Sequence, residues 1–242
     1  MKAIIYKYFK RSVYSLVNFI NRSLSVFFGV NYYVNKKAIE DSAEYAYSNF
    51  TEAINFPSRE KLWDYCLKEN SALKNENETE IDMLVAEFGV WRGESINYFA
   101  EKSPNAKLFG FDSFCGLEEN WYQSTVMKNS FSTFGKLPKC KKNVELFKGW
   151  FTETVPTFVT RLQGQQISIL HMDADTYEPT IFVLNQLRDN LRKDSIVIFD
   201  EYFGYPNWRQ HEFKAWNGFV TSVGINYKYI GYTNVQVAIK IL

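Results

Sequence analysis

The stretch "LVAEFGVWRGESINYFAEKSPNAKLFGFDSF", residues 84–114, decides the fold. An apolar run ends at Phe88, glycines follow at positions 89 and 93, a helical pattern opens near Glu94, and a second apolar run closes on Asp112. Strand, glycine turn, helix and strand follow one another here. Gly89 and Gly93 let the backbone of such a turn approach a ligand where helix N-terminal amides point outward. A dinucleotide fingerprint counted from Gly89 needs glycines at 91 and 94, but Trp91 and Glu94 stand there, which argues against a pyrophosphate. Glu87, just ahead of the glycines, would repel a phosphate and suits a cationic ligand. Asp112 lies 19 residues beyond Gly93 at the end of the next strand, where an acid takes up a ribose diol. A nucleoside with a positively charged tail and no phosphate satisfies all three features, and S-adenosylmethionine is such a molecule.

Outward from this unit, strands and helices alternate. "VELF", "ISILHMD" and "SIVIFD" read as strands, and "TETVPTFVTRL", the segment from about Tyr177 to Leu191, and "WRQHEFKAWNGFVTSV" read as helices. Two last runs, "NYKYIG" and "VQVAIKIL", are joined by "YTN", too short for a parallel crossover, so the final strand must pair antiparallel. The expected fold is α/β: a Rossmann-like doubly wound sheet, mostly parallel with an antiparallel C-terminal strand, plus N-terminal helices. Ligands bind such sheets beyond the carboxyl ends of the strands, where strand order reverses. The polar residues of interest fall at those ends: Glu87 and Gly89, Asp112, Gly149 and Trp150, Asp173 and Asp175, and Asp200 and Glu201.

With 242 residues, 46% of them hydrophobic and 18% aromatic, the chain can bury a sizeable core. The net charge of +1 conceals an asymmetry, because the first 39 residues hold seven Lys or Arg and no acid, leaving the rest mildly acidic. An acidic body disfavours nucleic acid as partner. Cys66, Cys115 and Cys140 form neither a disulfide framework nor a zinc spacing, and a reducing cytoplasm is the expectation. In residues 1–39, Ile5, Phe9, Val13, Leu16, Ile20, Leu24 and Phe27 recur at three-to-four spacing, with Lys10, Arg11, Ser15 and Arg22 elsewhere on the wheel. This basic amphipathic helix is too interrupted by charge to span a membrane. It could lie on an anionic membrane surface, giving a peripheral location on the inner membrane, or pack on the body or a partner subunit. Residues 40–80 read as a helical cap with Ser58 as an N-cap and the polar "KNENETE" as a loop, and residues 81–242 as the main domain.

"EFGVWRGES", "GFDSFCGL", "KGWFTETVP", "HMDADTYEPT" and "VIFDEY", in this order, resemble the class I methyltransferases of the macrocin O-methyltransferase type, which methylate sugar hydroxyls. The resemblance covers roughly residues 80–242. It implies that Glu87, Gly89 and Gly93, with Ser95 close by, cradle the methionine part of S-adenosylmethionine. Asp112 would then hold the ribose hydroxyls with Ser113 beside it, and Trp150 would sit at the adenine edge. It also implies a Mg2+ site at Asp173, Asp200 and Glu201, although the family pair is Asp-Asp where this chain has Asp200-Glu201. Such a metal would acidify an acceptor hydroxyl for in-line attack on the sulfonium methyl. Without metal, Asp173, Glu201 or His211 would have to remove the proton. Asp175 reads instead as a cap of the helix starting near Tyr177, with Pro179 in its first turn.

The segment from Cys115 to about Lys142 exceeds an ordinary loop, and its Trp121, Tyr122, Phe131 and Phe134 could stack on a sugar or pack on the body. Arg59 and Trp63 could also face the site. The expected function is an S-adenosylmethionine-dependent O-methyltransferase acting on a sugar hydroxyl in a glycan, glycolipid or glycosylated metabolite, working as a homo-oligomer. A phenolic or catechol-like acceptor, or a non-catalytic cofactor-binding partner protein, are the alternatives.

Overall fold

The computed structural model of the protein describes residues 2–72, 83–118, 120–121 and 126–242. The "KNENETE" loop and Tyr122 lie outside them. Eight strands form one sheet: β1 (Ile54–Asn55), β2 (Leu84–Phe88), β3 (Lys107–Asp112), β4 (Val144–Lys148), β5 (Ile169–Met172), β6 (Ile196–Phe199), β7 (Tyr227–Tyr232) and β8 (Val237–Ile241). Their order is β1-β7-β8-β6-β5-β2-β3-β4. All neighbours pair in parallel except β8, which runs antiparallel to both β6 and β7, as the short connection requires. From β2 the chain moves outward to β3 and β4 and returns to β5 on the other side, so strand order reverses between β2 and β5.

The helices are α1 (Lys2–Asn49), α2 (Arg59–Ala72), α3 (Glu94–Lys102), α4 (Phe151–Leu162), α5 (Tyr177–Gln186) and α6 (Glu212–Val223). Alternate residues of the central strands serve opposite cores. Ala86 and Phe88 face Phe158, Val183 and Trp216 of α4, α5 and α6, whereas Val85 and Ile198 join Trp63 and Phe99 of α2 and α3. Strands covered on both faces read as near-continuous apolar runs, and β2, β5 and β6 are buried throughout. Glu87 and His171 are the polar residues in those runs, and the β2–β5 register sets them opposite each other.

Four details depart from the sequence reading. β1 is a two-residue exposed strand without an apolar run. The helix after β5 ends at Gln186 rather than near Leu191. The helix after β6 is split, with a 3-10 turn over Trp208–Gln210 and α6 starting beyond His211. Lastly, α1 is continuous across residue 39 and breaks instead at Gly29 (φ 61°, ψ −152°).

The inner part of α1 is seated on the domain. Arg209 makes two 2.9 Å bonds to the Asp41 carboxylate, the Gly204 amide donates to Ser42 Oγ at 2.9 Å, and the hydroxyls of Tyr45 and Tyr229 lie 2.7 Å apart. Farther out, Val13, Leu16, Val17 and Ile20 are exposed. Among the described residues no helix is long and apolar enough to cross a membrane. All three cysteines are free.

Candidate active site

The site grows from the strand reversal. The Asp173 amide donates to the Phe88 carbonyl at 2.8 Å, and the Gly89 amide donates to the Phe111 carbonyl at 2.9 Å. A Cβ on Gly89 (φ 96°) would lie 1.8 Å from the Asp173 carbonyl oxygen, so only glycine lets the two strand ends close up. Trp91 adopts φ 47°, a left-handed conformation that costs a non-glycine residue about 1–3 kcal/mol. The Asp112 carboxylate offsets that cost: Oδ2 accepts the amides of Val90 (2.9 Å) and Trp91 (2.6 Å), and Oδ1 accepts that of Phe114 (2.6 Å). A carboxylate has about four acceptor positions, so about one remains for a ligand hydroxyl.

Above these ends lies a cavity of about 580 Å³, within the usual range for small-molecule sites. Asp112, Ser113, Trp150 and Phe151 line it beyond β3 and β4. Gly89 and Trp91 line it at the turn, Phe131 lines it from the long loop, and Arg59 lines it from α2. Beyond β5 and β6 it meets Asp173, Asp175, Asp200 and Glu201. Trp150 is 36% exposed and stands at the start of α4, its amide donating to Glu153 Oε2 at 3.1 Å, so it is not a core tryptophan.

Four residues expected at the ligand sit elsewhere. Glu87 is fully buried behind the turn: Ser95 Oγ donates to its Oε1 at 3.0 Å, and His171 Nδ1 lies 3.0 Å from its Oε2. Ser95 is thereby also turned inward. Gly93 starts α3 with φ 78°, and its amide donates to the Val90 carbonyl, so it shapes the turn without lining the cavity. His211 is buried beside Trp121 and Tyr205, where it precedes α6 instead of facing the cavity. Trp121 is spent on that contact and Phe134 is 90% exposed, so among the described candidates of the loop Phe131 lies at the site.

The acids group differently from expectation. Single oxygens of Asp173, Asp175 and Glu201 all lie within 4.8 Å of one another. Asp175 is not the cap of α5. Thr176 holds that position, and Asp175, at φ 63°, is swung into the cluster. Asp200 lines the same cavity, but its Oδ1 accepts from Gln236 Nε2 and lies 3.4 Å from His171 Nε2. Burial and the Asp200 charge hold the carboxyls of Asp173 and Glu201 well above the ordinary range. The same two causes, with Asp112, push Asp175 up to about 7. Glu201 Oε2 is buried with no hydrogen-bond partner. Three converging hard oxygens, in a field that penalises their own charge and beside an unpartnered Glu201 oxygen, fit a divalent cation such as Mg2+. Glu212, at the start of α6, joins the two acidic loops: its Oε1 accepts the Ala174 amide (3.4 Å) and its Oε2 the Glu201 amide (3.1 Å).

This cavity sits at the strand reversal of a doubly wound sheet whose last strand is antiparallel. Residues 86–202 match the family model described as a methyltransferase domain. Over 97 residues the chain is 32% identical to mycinamicin III 3''-O-methyltransferase of Micromonospora griseorubida, covering 39% of this chain and 35% of that protein. It is 24% identical over 140 residues to 8-demethyl-8-(2,3-dimethoxy-alpha-L-rhamnosyl)-tetracenomycin-C 4'-O-methyltransferase of Streptomyces olivaceus, covering 49% and 52%. The matches thus span about a third to a half of these curated relatives. Among solved structures, the calicheamicin methyltransferase CalS11 superposes with a TM-score of 0.60 at 22% identity, covering 75% of this chain and 77% of that one. The O-methyltransferase NovP does so with a TM-score of 0.55 at 20% identity, covering 75% and 78%. These two share the fold.

Proposed function

We propose that the protein transfers the methyl group of S-adenosylmethionine to a sugar hydroxyl in a glycan, a glycolipid or a glycosylated metabolite. The observation that carries this reading is the meeting, in one cavity, of the Asp112–Trp150 end with the acids of β5 and β6. Adenosine would lie over β3 and β4, with a ribose hydroxyl on the remaining acceptor position of Asp112. The sulfonium would then face the acidic end. In the transfer, the acceptor oxygen attacks the methyl carbon, the C–S bond breaks to leave S-adenosylhomocysteine, and the hydroxyl proton departs. Without a metal, Asp175, with its carboxyl pushed up to about 7, is suited to take that proton at neutral pH. A divalent cation held by Asp173, Asp175 and Glu201 would supply Lewis acidity toward the acceptor oxygen.

A sugar acceptor is favoured by the curated relatives, both named as O-methyltransferases, one of a rhamnosyl compound. Trp91 and Phe131 add aromatic surface to the cavity lining, of a kind that suits a sugar ring. The test is calorimetric titration with S-adenosylhomocysteine, with and without Mg2+, on wild type and Asp112→Ala, followed by a panel of glycosides against catechols. Micromolar binding lost in the variant and turnover of glycosides are expected. No binding by the wild type would overturn the reading, and turnover of catechols alone would move the acceptor class.

The outer part of α1 is the proposed membrane contact. Seven basic residues and no acid in the first 39, with Val13, Leu16, Val17 and Ile20 exposed, suit an anionic bilayer surface. The full chain should sediment with anionic vesicles, and a chain starting at residue 30 should not. If a second copy covers this face instead, the full chain is a dimer without vesicles and the shortened one a monomer.

A further inference from the structure

Among the described residues that line the cavity, seven carry a carboxyl group and one, Arg59, a guanidinium. The distribution suits the sulfonium and ammonium of an S-adenosylmethionine tail and leaves the tail's own α-carboxylate in an adverse field. Like charges repel most strongly where water is scarce. Only beside Arg59 is that cost reversed.

The position of Arg59 agrees. It is the first residue of α2, and its Nη2 donates to Glu94 Oε2 at 3.2 Å, which holds the guanidinium beside the first residue of α3, next to the glycine turn. On its other side it feels the charge of Asp200. The methionine tail of a cofactor whose ribose sits at Asp112 has to run across this turn, toward β5 and β6. The guanidinium also lies 5.1 Å from the ring centre of the buried Trp63, a platform that restricts its orientation. Its bonds to Glu60 and Glu94 use Nε and Nη2, and Nη1 carries two further N–H donors.

We propose that Arg59 anchors the α-carboxylate of the methionine moiety, so that the helix preceding the methyltransferase domain completes the cofactor site. This rests on the methyltransferase reading. It makes Arg59 a determinant of ligand selectivity: the site distinguishes amino-acid-tailed adenosyl thioethers from those lacking the carboxylate.

The experiment measures dissociation constants of S-adenosylhomocysteine and of its decarboxylated analogue for wild type, Arg59→Gln and Arg59→Lys, with thermal melting to confirm folding. Wild type should prefer the carboxylate-bearing ligand by about 10- to 100-fold, the range of a charged hydrogen bond. Arg59→Gln should narrow this preference to within about threefold by weakening that ligand alone, and Arg59→Lys should fall between. Equal binding of both ligands by the wild type overturns the proposal and leaves the methyltransferase reading standing. A loss in Arg59→Gln that is the same for both ligands also overturns it, since Arg59 would then act through the turn or on an acceptor anion. Failure of both ligands to bind the wild type overturns the methyltransferase reading and this proposal together.

Discussion

Nδ1 of His171 lies 3.0 Å from Oε2 of Glu87, and both side chains are wholly buried in adjacent central strands. Burial alone would lower the imidazole pKa, but Asp200 and Glu87, flanking it, outweigh burial and push it up to about 10. Burial raises the Glu87 carboxyl in turn, so a proton is held between the two side chains. Removing one partner of such a pair strands a buried charge, at a cost of about 3–5 kcal/mol. His171→Ala should lose that much in urea denaturation, whereas an exposed control such as Lys61→Ala should lose less than about 0.5 kcal/mol. Equal losses would contradict the pairing.

The Glu212 carboxylate accepts one amide from each acidic loop. Glu212→Gln would turn an N–H donor toward an amide and strand a buried donor, costing about 1–3 kcal/mol. If the residue sets the spacing of the acids, Mg2+ affinity and kcat should fall more than tenfold while binding of S-adenosylhomocysteine stays within about threefold. A matching loss of all three would mean that Glu212 merely supports the fold.

Asp175 carries the clearest pH signature. Its carboxyl is raised from 3.8 to about 7, by burial first and then by Asp200 and Asp112. Between these values the folded form holds a proton that the unfolded form has released, so stability should fall as pH rises through this window. Thermal melting in chelator should show the protein less stable at pH 8 than at pH 5. A divalent cation competes with that proton, so added Mg2+ should raise the melting temperature more at pH 8. An equal Mg2+ effect at both values would count against the acids as its ligands.

Gly89→Ala tests the closure of the strand ends. Its Cβ would meet the Asp173 carbonyl oxygen at 1.8 Å with φ at 96°, so destabilisation should exceed about 1 kcal/mol and ligand binding should be lost. Gly218→Ala, inside α6 with nothing within 4 Å of the new Cβ, should be neutral or stabilising by comparison.

The fold was legible in the sequence because strands buried on both faces must be apolar throughout, and the acids mark their ends. Asp112, Ser113 and Trp150 were readable for the same reason, since each follows a visible strand. What escaped depends on relations between distant segments. Glu87 and His171 are 84 positions apart, and only the β2–β5 register turns the glutamate from the ligand to the histidine. Asp175 looked like a helix cap, and a left-handed backbone angle, invisible in a residue string, places it among the acids. His211 was a candidate base and Trp121 was open between stacking on a sugar and packing on the body, and the two pack on each other.

Tyr45 of α1 meets Tyr229 across 184 positions of chain, and Asp41 meets Arg209 across 168. On a ribosome, the first helix therefore emerges long before its seat exists, and its docking has to wait for the final strands. During that interval a basic, apolar-faced helix is already outside the exit tunnel, so any surface that captures it could do so while the domain behind it is still being made.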